Sequence, residues 1–165
     1  MTEKEFLHLI DQHSGILYKV SRMYMDTQSD QEDLRQDIIF QLWKSIHTFK
    51  GNSQFSSWMY RVAINTAITY FKVEKRRPDK TELKTNFDIE DRLIDDTKDN
   101  QLAHFYKAVK SLNKIEKAII LLFIEGYSHK EIGKQLGLSD GNTRVKLNRT
   151  KQKIKVLIKT QGYEF

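Results

Sequence analysis

The chain has 165 residues, of which 39% are hydrophobic and 11% aromatic, enough for folded cores and too much for a disordered chain. Its formal net charge of +6 and pI near 9.4 favour a polyanionic partner, although charge alone does not separate nucleic acid from an anionic membrane. Cysteine is absent, which excludes disulfides and thiolate metal sites, and no apolar run is long enough to span a bilayer, so a soluble cytoplasmic protein is expected.

One proline, seven glycines and no strand-like alternation predict an all-α chain. From Thr2 to Met25, Phe6, Leu9, Ile10, Ile16, Leu17, Val20, Met23 and Tyr24 recur at helical spacing, in one bent helix or in two separated near Ser14 and Gly15. A capping box of Ser29 and Glu32 then predicts a helix to about Ile46 that buries Leu34, Ile38, Leu42 and Ile46. Its opposite stripe, Asp33, Gln36, Asp37 and Phe40, is acidic and amide-rich with one large aromatic; it reads equally as a partner surface or as a solvated face. His47 to Phe55 is a polar loop bounded by Phe49 and Phe55.

A long helix is predicted from about Ser57 to Arg77, stopped by Pro78, with Tyr60, Ala63, Ile64, Ala67 and Phe71 inward. Its outward stripe of Trp58, Arg61, Val62, Asn65, Thr69, Lys72 and Arg76 combines an indole, an amide and cations, which suits binding a nucleic-acid backbone and stacking unpaired bases. For Trp58 alone, simple burial is an equal reading. Between Asp79 and Asn100 the composition turns acidic, with Asp88, Glu90, Asp91, Asp95, Asp96 and Asp99 and little periodic apolar content, as expected of a linker.

Helical spacing resumes around Asp99 to Leu112, and Asn113 with Glu116 caps a helix from Lys114 to Glu125 that is apolar nearly all round. Ser128 and Glu131 form another capping box, Gly137 supplies a left-handed stop, and Ser139 caps a last helix with Thr143, Leu147, Thr150 and Ile154 inward. Two short capped helices joined by a tight turn make a helix-turn-helix. The opposite stripe of the second helix presents Gly141, Arg144, Val145 and Asn148, flanked by Lys146, Arg149 and Lys151. Arg can bond guanine bidentately, Asn can read adenine and an apolar group can touch a thymine methyl, so this helix is suited to a major groove.

Three stretches carry a family resemblance. EDLRQDIIFQLW at Glu32 to Trp43, FKGNSQFSSWMYRVAINTAITYF at Phe49 to Phe71 and LNKIEKAIILLFIEGYSHKEIGKQLGLSDGNTRVKLNRTKQKI at Leu112 to Ile154 resemble the polymerase-binding helix, the minus-ten segment and the minus-thirty-five domain of a bacterial RNA polymerase sigma factor of the extracytoplasmic-function (ECF) group, sigma-70 family. Departures are Asn113 where the family often has proline, Gly133 where alanine is usual, and NTRVKL for the commoner TVKSRL.

The resemblance implies two small helical domains, residues 1–78 and 101–165, joined by a flexible acidic linker over 79–100. It implies that Asp33, Gln36, Asp37 and Phe40 dock on core RNA polymerase, and that Phe49, Trp58, Arg61, Asn65, Lys72 and Arg76 hold the opened minus-ten strand. Arg144, Val145 and Asn148 would read the minus-thirty-five duplex of promoter DNA, while Lys146, Arg149 and Lys151 fix register through phosphates. An anti-sigma factor is an implied partner; no cofactor, metal, catalytic residue or membrane insertion is expected. A linker of about 22 residues has a relaxed span of about 25 Å and an extended limit of roughly 75 Å. The promoter elements lie on the order of 55 Å apart, so the free protein is expected to be more compact than its DNA-engaged form.

Three other readings compete. A conventional helix-turn-helix regulator would need a ligand or phosphorylation site in its first half, and none is evident. An enzyme finds no support in His8, His13, His47, His104 and His129, which form no metal-ligand pair at helical spacing, nor in any phosphate-cradling glycine loop. A membrane-surface helix would carry cations throughout its polar stripe, where this chain has Asn and Gln.

Overall fold

A computed structural model describes residues 1–76 and 97–162, with the backbone alone at 71–76 and 97–99. Among the described residues the chain is all-α, without strands: α1 (Glu3–Gln12), α2 (Ser14–Tyr24), α3 (Gln28–Ser45), a 3-10 turn (Ile46–Thr48), α4 (Phe55–Arg76), α5 (Thr97–Val109), α6 (Lys114–Ile124), α7 (His129–Leu136) and α8 (Asp140–Thr160). The acidic stretch that would form the linker lies almost wholly outside the described residues, and α5 begins at Thr97, two residues before its expected start.

Local chemistry sets most boundaries. The N-terminal apolar stretch is two helices because His13, at φ −112° and ψ 18°, leaves the helical region and donates its amide back to the Leu9 and Ile10 carbonyls. The start of α3 differs from the expected Ser29 and Glu32 box. Thr27, extended at φ −95° and ψ 151°, accepts from the Asp30 amide at 3.1 Å. Thr27 and Asp30 have the same spacing as Ser29 and Glu32, and capping at Thr27 gains helical hydrogen bonds two residues earlier. Glu32 instead accepts from the Gln28 side chain at 3.2 Å. Likewise α4 begins two residues before Ser57, because the amides of Ser57 and Trp58 bond the Gln54 carbonyl.

In the N-terminal half, α2, α3 and α4 pack on one another. Leu34, Ile38 and Leu42 from α3 and Met59, Tyr60, Ala63, Ile64 and Ala67 from α4 are buried, matching the expected inward faces except that Ile46 is only partly covered; the side chain of Phe71, also expected inward, lies outside the described residues. Each buried Leu or Ile contributes about 1.5–3 kcal/mol relative to its exposure in water. In the C-terminal half, α6 and α7 pack against α8, with Ile119, Leu122, Ile132 and Leu147 fully buried. The two halves touch. Helix α2 also meets α5 and α6, and the buried apolar residues of both halves form one cluster.

Candidate nucleic-acid and polymerase interfaces

On α8, Thr143, Leu147, Thr150, Ile154 and Ile158 are buried, which turns Gly141, Arg144, Val145, Asn148 and Arg149 to solvent as the periodicity predicts. Val145 is 47% exposed, and of the large apolar side chains on α8 only Val156, farther along the helix, is more so at 63%. The preceding turn is tight. Gly137 takes φ 71° and closes α7, and Ser139 accepts from the Asn142 amide at 3.2 Å. A Cβ on Gly133 would lie 2.7 Å from the Leu138 carbonyl oxygen and 2.8 Å from Thr143 Oγ1, so glycine is what lets α7 approach the turn and α8.

The expected phosphate-contacting cations divide. Lys146 and Arg149 line a cleft of about 440 Å³ beside the N-terminus of α6, an electropositive helix end. The Lys151 ammonium instead lies over the Phe123 ring, 3.8 Å from its centroid, so in this structure it is engaged by an aromatic face as well as by solvent. Arg144 stands 3.9 Å from Asp140, an exposed pair one helical turn apart.

The α4 surface is assembled differently. Trp58 is half-buried in a triangle with Phe49 and Phe55, each pair of rings 5.5 Å apart, and the His13 ring packs 5.3 Å from Phe55. The indole is thus neither fully buried nor a free platform; the loop closes over one side of it. Arg61, Asn65 and Thr69 are exposed along the same helix, whereas Val62 packs against the core. The side chains of Lys72 and Arg76 lie outside the described residues.

On α3, Asp33, Gln36 and Phe40 are exposed and Asp37 is half-buried, with Phe40 at 59% exposure. Asp37 and Asn65 line one cleft of about 570 Å³ between α3 and α4, so the acidic face and the α4 surface adjoin. Among the described residues no group of His, Asp or Glu is arranged to hold a metal, and no helix is long and apolar enough to cross a membrane.

Two family matches decide between the sigma factor and the conventional regulator: sigma-70 region 2 over residues 9–77 and sigma-70 region 4 over residues 103–154. The chain belongs to the ECF group of the sigma-70 family. Curated relatives include the ECF RNA polymerase sigma-E factor of Haemophilus influenzae, 26% identical over 164 residues and covering 92% of this chain and 86% of that protein. SigX of Bacillus subtilis is 28% identical over 160 residues, covering 89% of this chain and 80% of its own. Among solved structures, CnrH in complex with the cytosolic domain of CnrY matches with a TM-score of 0.67 at 21% identity, over 96% of this chain and 90% of that one. The sigma factor RpoE, in complex with the anti-sigma factor NepR from Bartonella quintana, matches with a TM-score of 0.70 at 18% identity, over 94% and 98% of the two chains. This sigma factor directs RNA polymerase to promoters.

The helix patterns did not reveal the residues at which the halves meet. Tyr24 donates its hydroxyl to the Lys114 carbonyl at 2.7 Å, Lys19 donates to Glu125 at 2.7 Å, and the Ser57 and Tyr127 hydroxyls are 3.0 Å apart. Tyr127, just before the α7 cap, reads locally as a hydrophobic staple; its ring instead sits edge-on to Tyr60, 6.1 Å away. Burial pushes the Tyr24 phenol well above its ordinary range; for Tyr60, burial does so first and the Glu125 carboxylate adds to it.

Proposed function

We propose that this sigma factor divides its work among three surfaces, of which the first two adjoin. Phe40 with Asp33, Gln36 and Asp37 on α3 docks on core polymerase. Trp58, held by Phe49 and flanked by Arg61 and Asn65, receives unpaired bases of the minus-ten element, with Lys72 and Arg76 continuing the surface along the backbone. Arg144, Val145 and Asn148 read the minus-thirty-five major groove, and Lys146, Arg149 and Lys151 hold phosphates.

The observation that carries this reading is the pairing of two unlike DNA surfaces in one chain, an exposed Arg, Val and Asn stripe on α8 and an aromatic cluster beside exposed Arg61 and Asn65 on α4. The first suits duplex edges and the second suits bases already out of the stack. A unit over 1–78 binds polymerase and the minus-ten strand, a unit over 101–165 binds the minus-thirty-five duplex, and 79–100 tethers them. The protein works in the cytoplasm and has no catalysis of its own, since polymerase performs the chemistry. RpoE was solved with the anti-sigma factor NepR, which supports an anti-sigma partner here.

Transcription reconstituted with core polymerase on a library of genomic fragments tests the assignment. The wild-type chain is expected to start transcripts at defined sites. Asp37→Lys is expected to weaken binding to core polymerase while leaving the helical spectrum unchanged; wild-type affinity in that variant would remove α3 as the docking surface.

A further inference from the structure

One carboxylate stands among the cations of α8. Every other charged side chain of the helix, from Arg144 to Lys159, is a lysine or an arginine, and an acid at the leading end of such a helix is repelled by a polyanion. Asp140 is not needed for the cap, because Ser139 accepts from the Asn142 amide at 3.2 Å. Its side chain is more than half exposed, and its one ion pair is with Arg144, a turn further on, at 3.9 Å, too long for a hydrogen bond. Both groups thus keep their hydrogen-bonding capacity for something outside the chain. Gly141 adjoins them. Its φ is not positive and a Cβ there would meet nothing within 4 Å, so neither backbone conformation nor packing calls for glycine, which weakens a helix. What the glycine does is leave room beside Asp140, at the end of a recognition helix whose residues contact base edges.

We infer that Asp140 and Arg144 together read one C·G base pair of the minus-thirty-five duplex, the carboxylate accepting from cytosine N4 and the guanidinium donating to O6 and N7 of the paired guanine. The inference rests on the reading of α8 as the minus-thirty-five surface. Cytosine N4 and guanine O6 are hydrogen-bonded to each other across the pair, about 2.9 Å apart. Groups that bind them from the groove must therefore stand side by side, as Asp140 and Arg144 do. The opposite charges stay close while each takes its own base, so neither is left uncompensated in the groove. The carboxylate also rejects other pairs. Thymine O4 and guanine O6 and N7 are acceptors that repel it, and adenine sets its N7 acceptor beside the N6 amine, whereas cytosine presents only the amine.

The test uses holoenzyme assembled from core polymerase and the full chain, on templates whose minus-thirty-five region is randomised upstream of a minus-ten element taken from a wild-type start site. Sequencing the transcribed templates gives the preference at each position. The wild type is expected to select C·G at one position. Asp140→Ala is expected to lower that preference by roughly fivefold, with other positions unchanged, and to raise affinity for random duplex by removing a charge that repels phosphates. Arg144→Ala is expected to alter the same position. On the selected site, N4-methylcytosine keeps the Watson–Crick pair and replaces the outward N–H. It is expected to weaken binding by the wild type and to leave binding by Asp140→Ala unchanged.

No selected C·G position in the wild type, or a loss in Asp140→Ala spread evenly over all sequences, would make Asp140 an ordinary first-turn acid that only complements the helix dipole and would overturn the inference. Changes at different positions in Asp140→Ala and Arg144→Ala would overturn the joint reading. If Arg144→Ala alone alters one position, Asp140 reads nothing and the assignment of α8 stands; if neither variant alters any position, that assignment falls as well.

Discussion

The side chains proposed to face duplex DNA on α8 come from a single helix, whereas the α4 surface draws its aromatic cluster from the loop, from two positions of α4 and from His13 between α1 and α2. One helix presents side chains along a single face, and the major groove is wide enough to admit an α-helix. Bases leaving a duplex need a pocket with walls, and a pocket requires several segments. In keeping with that difference the first surface is solvated, while the second is partly closed over by its own loop and by α7.

Disrupting the scaffold of one surface and not the other gives the largest expected effect. Gly133→Val places side-chain carbons against the Leu138 carbonyl, which is backbone and cannot move away cheaply. A loss of about 1–3 kcal/mol from the C-terminal half is expected, visible as an earlier phase in thermal melts, with the N-terminal half still folded. A single cooperative melt, unshifted, would mean that the turn relaxes around the new side chain.

Removing the three side chains proposed to contact bases should separate the surfaces by readout. Trp58→Ala is expected to cost about 1–3 kcal/mol of stacking per captured base and to reduce permanganate reactivity of minus-ten thymines, with duplex binding by α8 intact. Arg144→Ala and Asn148→Ala should each cost about 1–3 kcal/mol on the cognate minus-thirty-five site and relax discrimination at particular bases. If Arg144→Ala weakened all sequences equally, it would be a phosphate contact.

Alkaline titration sharpens the comparison at the junction of the halves. Tyr24, beside the Lys117 ammonium, and Tyr60, beside Glu125, Tyr106 and Tyr127, keep their protons in the fold after an unfolded chain has begun to lose them near pH 10. The folded chain then binds more protons than the unfolded one, so the stability these groups contribute is complete below about pH 10 and declines as pH rises above it. Tyr24→Phe should flatten part of that decline, at a cost of about 1 kcal/mol at neutral pH for the lost bond to Lys114. Melting temperatures measured on either side of pH 10 would show it; an identical slope in the variant would remove Tyr24 from the account.

The smallest effect is expected at Lys151, whose ammonium must leave the Phe123 ring before it can reach a phosphate. Lys151→Ala should weaken duplex binding evenly across sequences and shift the salt dependence by less than the unit expected for a fully committed phosphate contact. A changed sequence preference would instead make it a reader of bases.

The acidic face of α3, the α4 surface and the exposed Arg, Val and Asn stripe of α8 were legible in the sequence because helical periodicity is local: burying Leu34, Ile38, Leu42, Leu147 and Ile154 leaves the opposite stripe no other direction. The same holds for the helix-turn-helix, where Ser128, Gly137 and Ser139 satisfy backbone groups within a few residues of themselves. Local rules were less reliable where two equivalent caps compete, as Thr27 with Asp30 prevailed over Ser29 with Glu32. Only the tertiary structure decided that Trp58 is half-covered, that Lys151 rests on Phe123, and that Lys19 meets Glu125 across 106 positions of chain. Contacts between distant segments leave no periodic trace in the residues that make them, because each side chain also satisfies an ordinary local role as a solvated lysine, a helix-end glutamate or a staple tyrosine.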